Sequence, residues 1–203
     1  MLKTALLATF TVAALAACSS AGPHNDAAHR APAVLPRVAV TAPSVSSVPL
    51  DTPSPLLVAL RSAAPDADAG VIALALEARE CAVRNGRRVG NKLAVIDYSR
   101  PSTQKRLWVF DVERTKLLYH EHVAHGRGSG ENYARAFSNR DGSHQTSLGL
   151  YTTAETYDGG NGYSMRMDGL DAGINDAARD RLIVMHGAPY VDPAQAQRQG
   201  RLG

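Results

Sequence analysis

Cysteine is nearly absent from this chain: 203 residues contain two, Cys18 and Cys81. So low a number excludes a disulfide scaffold, which staples a small core through several bridges. An excess of either charge is missing too. Lysine and arginine total 22 against 19 acidic residues, a net +3 at pH 7, and the basic side chains are scattered instead of forming the stripe that tracks a phosphate backbone. No nucleic-acid partner is expected. There is no acidic tail and no collagen-like repeat, and with 44% hydrophobic and 20% charged residues the balance is that of one ordinary packed domain plus a remainder.

The remainder is N-terminal. After the short positive start Met1-Leu2-Lys3, residues 4–17 form an apolar run of about 14 residues, short of the ~20 that a membrane helix needs and typical of an export signal. Residues 1–17 therefore read as a signal peptide. Leu15-Ala16-Ala17-Cys18 places small residues directly before a cysteine and resembles the lipobox of bacterial lipoproteins. That resemblance implies cleavage ahead of Cys18, acyl chains on Cys18, and, because Ser19 and Ser20 follow instead of Asp, a periplasmic location on the outer membrane. Several acyl chains anchor stably where one does not, since each buried methylene contributes about 0.8 kcal/mol. Residues 18–52 then hold Pro23, Pro32, Pro36, Pro43 and Pro49 with little apolar periodicity, the composition of an extended tether reaching about 3 Å per residue. With Cys18 acylated, Cys81 is expected to have no disulfide partner within the chain, as a buried or a reactive thiol.

Residues 53–203 carry the fold. Ser54-Pro55 ahead of Leu56, Leu57, Val58 and Leu60 supplies a cap, a proline at the first helical position and an apolar face, predicting a helix to about Ser62. A second helix is predicted over 66–85, with Val71, Leu74, Ala75, Ala78, Cys81 and Ala82 on one stripe facing the core and Gly86 as its stop. From Lys92 the period changes to two: strands are predicted at 92–98, 106–111 and 116–124, then at 147–153, 163–168 and 181–186, with a short helix around 176–180. The fold class is mainly β, with two helices in front.

Several motifs carry candidate chemistry. His120-Glu121-His122-Val123-Ala124-His125 puts His120 and His122 on one strand face, as two metal ligands would be. The run resembles only in part the His-x-His-x-Asp-His of metallo-β-lactamase folds: Ala124 stands where Asp is needed, and no further ligand set at that spacing follows. A solvated strand face is expected and no metal. Gly126-Arg127-Gly128-Ser129-Gly130 lacks the Lys-Ser/Thr ending of a phosphate loop and reads as a loop leaving a strand, its glycines allowing positive φ. Val184-Met185-His186-Gly187 ends a buried strand in an imidazole at the rim of the sheet, a place where catalytic groups are built.

Taken in order, Leu93–Ser99, Leu107–Asp111, His125–Gly130, Phe137-Ser138-Asn139, Ser147-Leu148-Gly149 and Val184–Ala188 resemble the murein L,D-transpeptidase catalytic-domain family, in its YkuD-like second branch. The resemblance spans about 91–203 and implies a β-sandwich-type domain. It also implies cysteine-dependent acyl transfer on peptidoglycan stem peptides, without a cofactor and in a monomer. On the family's pattern His186 is the general base, and His125, Gly126, Ser138, Asn139 and Gly187 line the cleft. The family continues from Gly-Arg-Leu-Gly into Arg-Ser-x-Gly-Cys, whereas the present sequence reads Gly200-Arg201-Leu202-Gly203. The expectation is a truncated chain that lacks its nucleophile and is inactive as it stands. Cys81 is a poor substitute, because burial raises a thiol's pKa and leaves little thiolate. The alternative is a murein-binding or scaffold lipoprotein that holds stem peptides without cleaving them.

Overall fold

The computed structural model describes residues 10–13 and 53–202. The tether expected over 18–52 lies outside the described residues, as does most of the expected signal peptide.

Helix α1, Pro55–Ala63, starts where the cap predicts: Ser54 accepts from the Leu57 N–H at 3.1 Å, and Pro55 occupies the first turn. Helix α2, Ala69–Arg84, is capped by Asp68, which accepts from Gly70 and Val71 at 2.8 and 3.0 Å, and it ends before Gly86 at φ 73°. Its buried residues are Ile72, Ala75, Leu76, Cys81 and Ala82, with Val71 and Ala78 packed against the same core, so Ile72 and Leu76 join the expected stripe. Cys81 faces the core as predicted.

Strands β1 (Phe10–Ala13), β2 (Lys92–Ile96), β3 (Leu107–Asp111), β4 (Lys116–Glu121), β5 (Leu150–Gly159), β6 (Gly162–Gly169) and β7 (Val184–His186) lie in the order β4-β3-β2-β1-β5-β6-β7. The outer strands form two three-stranded antiparallel groups, β2-β3-β4 and β5-β6-β7, and β1 joins them. The mainly β fold with two leading helices is as the sequence predicts.

Period-two alternation sorts the core onto two faces. Leu93, Val95, Trp108 and Phe110 pack with Leu60, Ile72 and Leu76 of the helices, while Ala94 and Val109 pack with Tyr151, Met167 and Ala178 on the opposite side. The two helices thus cover one face only. Lys92 and Asp111 are cross-strand partners, and their buried ion pair closes at 2.7 Å. The bond from Lys92, assisted by the Arg114 N–H, holds the Asp111 carboxyl below the usual carboxylate range.

Several local expectations differ from the structure: α2 starts after Asp68 and not at Asp66, β2 ends at Ile96 and β4 at Glu121, short of the expected 98 and 124, and β5 begins at Leu150 instead of Ser147 and runs on to Gly159. Residues 176–180 form turns, not a helix, because the Asn175 side chain accepts from the Asp171 N–H and donates to the Leu150 carbonyl, tying the segment to β5. The last strand begins at Val184, not Arg181, since Leu182 has φ 57° and breaks the extended run. Helix α3, Pro193–Gln199, is an addition to the predicted elements, although Asp192 caps it, Pro193 opens it and Gly200 ends it at φ 74°.

Candidate active site

His186 ends β7 opposite Ser164 of β6. Its Nδ1 lies 2.9 Å from the carbonyl oxygen of Gly187. A carbonyl can only accept, so Nδ1 carries the hydrogen and, in the neutral ring, Nε2 holds the lone pair. Tyr190 meets the ring edge-on at 6.4 Å between centroids, and Tyr190 and Tyr163 are 44% and 60% exposed. The imidazole therefore sits half-buried at the end of β7 with Tyr190 against its edge, and Nε2 is its basic nitrogen. A ring in that state can take a proton from a thiol and return it to a leaving amine.

His125 is held in the opposite sense. Arg106 is wholly buried; its Nε and Nη2 donate to the Val123 carbonyl at 3.1 and 2.9 Å, its Nη1 donates to the Arg100 carbonyl at 2.8 Å, and its Nη2 reaches His125 Nδ1 at 2.8 Å. A guanidinium has no acceptor, so Nδ1 accepts, and Nε2–H donates to the Gly130 carbonyl at 3.2 Å. Burial, with Arg106 adding to it against the opposing pull of the Gly130 bond, lowers the His125 pKa and favours the neutral ring. Both ring nitrogens are occupied in binding the 126–130 loop to the sheet. Beneath it the same guanidinium stacks over Tyr98 at 5.1 Å, a phenol whose pKa burial raises.

The glycine-rich loop spends two of its backbone donors on residues 144–146 and one on itself. Gly126 N–H donates to Thr146 Oγ1 at 2.9 Å, Gly128 to the His144 carbonyl at 2.9 Å and Ser129 to the Gly126 carbonyl at 2.7 Å. A Cβ on Gly126 would collide with the His144 carbonyl, and one on Gly128 would lie 2.5 Å from the Ser143 carbonyl. Close approach, not positive φ, accounts for these two glycines, and only Gly130, at φ 143°, matches the expectation.

Arg181 holds Ser138, the next cleft candidate, by its carbonyl, together with residues 143–147. Its Nη1 donates to the Ser138 carbonyl at 2.6 Å and to Ser147 Oγ at 2.5 Å, and its Nη2 donates to Ser143 Oγ and the Gln145 carbonyl at 3.0 and 2.7 Å. Asn139 donates to Asp176 at 2.6 Å and accepts from the Ala177 N–H at 3.2 Å. Ser138 and Asn139 thus join the loop before β5 to the turns before β7. Gly187, exposed, has open space where a Cβ would stand.

The histidine run does not present a solvated face. His120 stacks on Trp108 at 5.1 Å and lies 3.2 Å from Asp66, which also accepts from the Trp108 indole; His122 Nε2 lies 3.3 Å from the Thr103 carbonyl. With His125 taken by Arg106, the three imidazoles point to three different partners. Among the described residues no group of three or more His, Cys, Asp or Glu is placed to hold a metal ion. The expectation for Cys81 is also corrected: it is disulfide-bonded, and the sequence contains one other cysteine, Cys18, which lies outside the described residues.

Sequence reasoning missed Arg106, Ser102 and Asn132. Ser102 is fully buried and its Oγ accepts from the Leu202 N–H at 3.0 Å while donating to Asn132 Oδ1 at 3.1 Å. Arg201 pairs with Glu131 at 2.9 Å. The Arg201-Leu202 segment is therefore docked beside residues 130–132, next to the carbonyl that His125 holds. Lys105-Arg106 reads in sequence as an ordinary charged strand start, so only its burial exposes its part.

The L,D-transpeptidase catalytic domain pattern matches residues 63–203, from the end of α1 through all of the geometry above. No curated protein and no solved structure matches the chain. The ordered motifs, the two antiparallel groups and the match over most of the chain agree, and the chain belongs to the L,D-transpeptidase catalytic domain family.

Proposed function

We propose that this domain serves cysteine-dependent acyl transfer on peptidoglycan stem peptides, with His186 as the general base. The observation that carries the reading is the Nδ1–H of His186 turned onto the Gly187 carbonyl, which presents Nε2 as the proton acceptor. In the reaction Nε2 takes the thiol proton and the thiolate adds to the carbonyl beside a D-amino acid. The imidazolium then protonates the departing amine as the C–N bond breaks, leaving a thioester. An incoming amine or water, deprotonated by the same nitrogen, releases the acyl group. Cys81 is engaged in a disulfide, and in this reading the nucleophile is the cysteine that follows Gly-Arg-Leu-Gly in the family.

The test compares residues 1–203 with a chain extended by Arg-Ser-x-Gly-Cys, following D-alanine release from tetrapeptide murein. The shorter chain is expected to release none. The extended chain should turn over, and His186→Ala within it should lower the rate at least about 10²-fold, the scale of losing a general base. Equal turnover by both chains would overturn the assignment. The engagement of Cys81, which takes that thiol out of nucleophilic use, favours a second reading, a murein-binding protein without catalysis, and sedimentation of 1–203 with intact sacculi checks it.

The periplasmic lipoprotein assignment is part of the same proposal and rests on Leu15-Ala16-Ala17-Cys18. One sulfur cannot carry both an acyl chain and a disulfide. Acyl labelling of wild type and Cys18→Ala, with intact mass under non-reducing conditions, tells which state the exported protein takes.

A further inference from the structure

The sheet is continuous between β2 and β5 only through β1. β1 runs parallel to β2, from Phe10 opposite Lys92 to Ala13 opposite Val95, and antiparallel to β5, from Thr11 opposite Thr152 to Ala13 opposite Leu150. The walls of this gap are core: Leu93 and Ala94 are 0% exposed, Val95 1%, Leu150 6% and Tyr151 3%. Leu93, Val95 and Leu150 belong to the helix-covered face, Ala94 and Tyr151 to the other. A position paired on both sides and walled by core on both faces takes an extended apolar segment free of proline. Phe10-Thr11-Val12-Ala13 meets that description, and it lies inside the stretch that reads as an export leader. Removing it would leave the facing N–H and C=O groups of β2 and β5 without partners and the two three-stranded groups without a ladder between them.

We propose that the gap between β2 and β5 is a strand-acceptor site, and that the precursor's own Phe10–Ala13 fills it by strand addition. Main-chain hydrogen bonds on both sides supply the binding, and the fixed direction, parallel to β2 and antiparallel to β5, supplies selectivity together with the apolar walls. Cleavage ahead of Cys18 would then open the site, so leader removal and completion of the sheet are coupled. The strand-acceptor site is independent of the acyl-transfer reading, and only the coupling to cleavage rests on the leader reading of residues 1–17.

Hydrogen exchange on the full 203-residue chain tests it. The amides of Thr11, Val12 and Ala13 are expected to exchange within about ten-fold of those of Val109 and Phe110 in β3, as members of one cooperative sheet. Exchange at the rate of an unstructured peptide overturns the proposal. Val12→Pro in the full chain removes a ladder donor and should lower protection at Leu93–Val95 and at Leu150–Thr152 by about ten-fold or more. A synthetic peptide of residues 8–15 added to that variant should restore protection, and the same peptide carrying Val12→Pro should not. Unchanged protection in the Val12→Pro chain, or equal rescue by both peptides, also overturns it. Should Val12→Pro fail to fold, exchange at residues 11–13 of the unmodified chain still decides.

Discussion

His125-Gly126 and His186-Gly187 are the same dipeptide, and the structure puts them to opposite use. At His125 a buried guanidinium faces Nδ1, so the hydrogen goes to Nε2 and on to the Gly130 carbonyl. At His186 a carbonyl faces Nδ1, so the hydrogen stays there and Nε2 keeps its lone pair. One ring is satisfied on both sides, the other presents a base at the rim. The glycines differ in parallel: Gly126 is wedged against the His144 carbonyl, whereas Gly187 has open space. An imidazole's role follows from what its neighbours can donate or accept, not from the local motif.

The largest effect should come from removing the donor that makes the difference. Arg106→Met leaves the Val123 and Arg100 carbonyls and His125 Nδ1 without their shared partner, and is expected to cost about 3 kcal/mol or more in denaturant unfolding. His125 should then lose its fixed tautomer, seen as averaging of its ring ¹⁵N shifts, while His186 keeps its own. Next, Gly126→Ala should cost about 2 kcal/mol, since the Cβ meets backbone that cannot yield, whereas Gly187→Ala should stay within about 0.5 kcal/mol. Equal losses at the two glycines would break the comparison.

His125→Gln should cost about 1 to 2 kcal/mol and His186→Gln less than about 0.5, because only the first loses buried hydrogen bonds. The smallest effect is in pH. The folded-state pKa of His125 is depressed, so the unfolded chain binds the extra proton first. The associated stability is present above the unfolded value of about 6.5 and falls away as pH drops through the lowered folded value. His125→Gln should flatten the stability-against-pH curve on that acid side. A curve unchanged by the substitution would show that His125 is not held neutral.

Much of the fold is legible in the order of the amino acids. Ser54-Pro55 and Gly86 bound the helices through contacts only two to four residues long, whereas the second helix starts at the Asp68 cap and not at the expected Asp66, and alternation from Lys92 onward sets which strand residues share a face. His186 is legible as a strand-end imidazole. The turns at 176–180 escape a local reading because Asn175 reaches 25 residues away to Leu150 for its partner. The expected solvated histidine face fails because Asp66 and Trp108 converge on His120 from other elements.

The sequence by itself determined the two leading helices, the strands from Lys92 onward in outline, the alternation that sorts their faces and, through the order of its motifs, the family. Those are set by local capping, by residue period and by motif succession, all of which act along the chain. Tertiary structure alone decided which nitrogen of each histidine carries its hydrogen, that Arg106 is buried, that Phe10–Ala13 bridges β2 and β5, and that Leu202 docks on Ser102 from 100 residues away. The physical reason is that a buried polar group must find its partner in space. Sequence period reports which face a residue takes, but not what waits on that face.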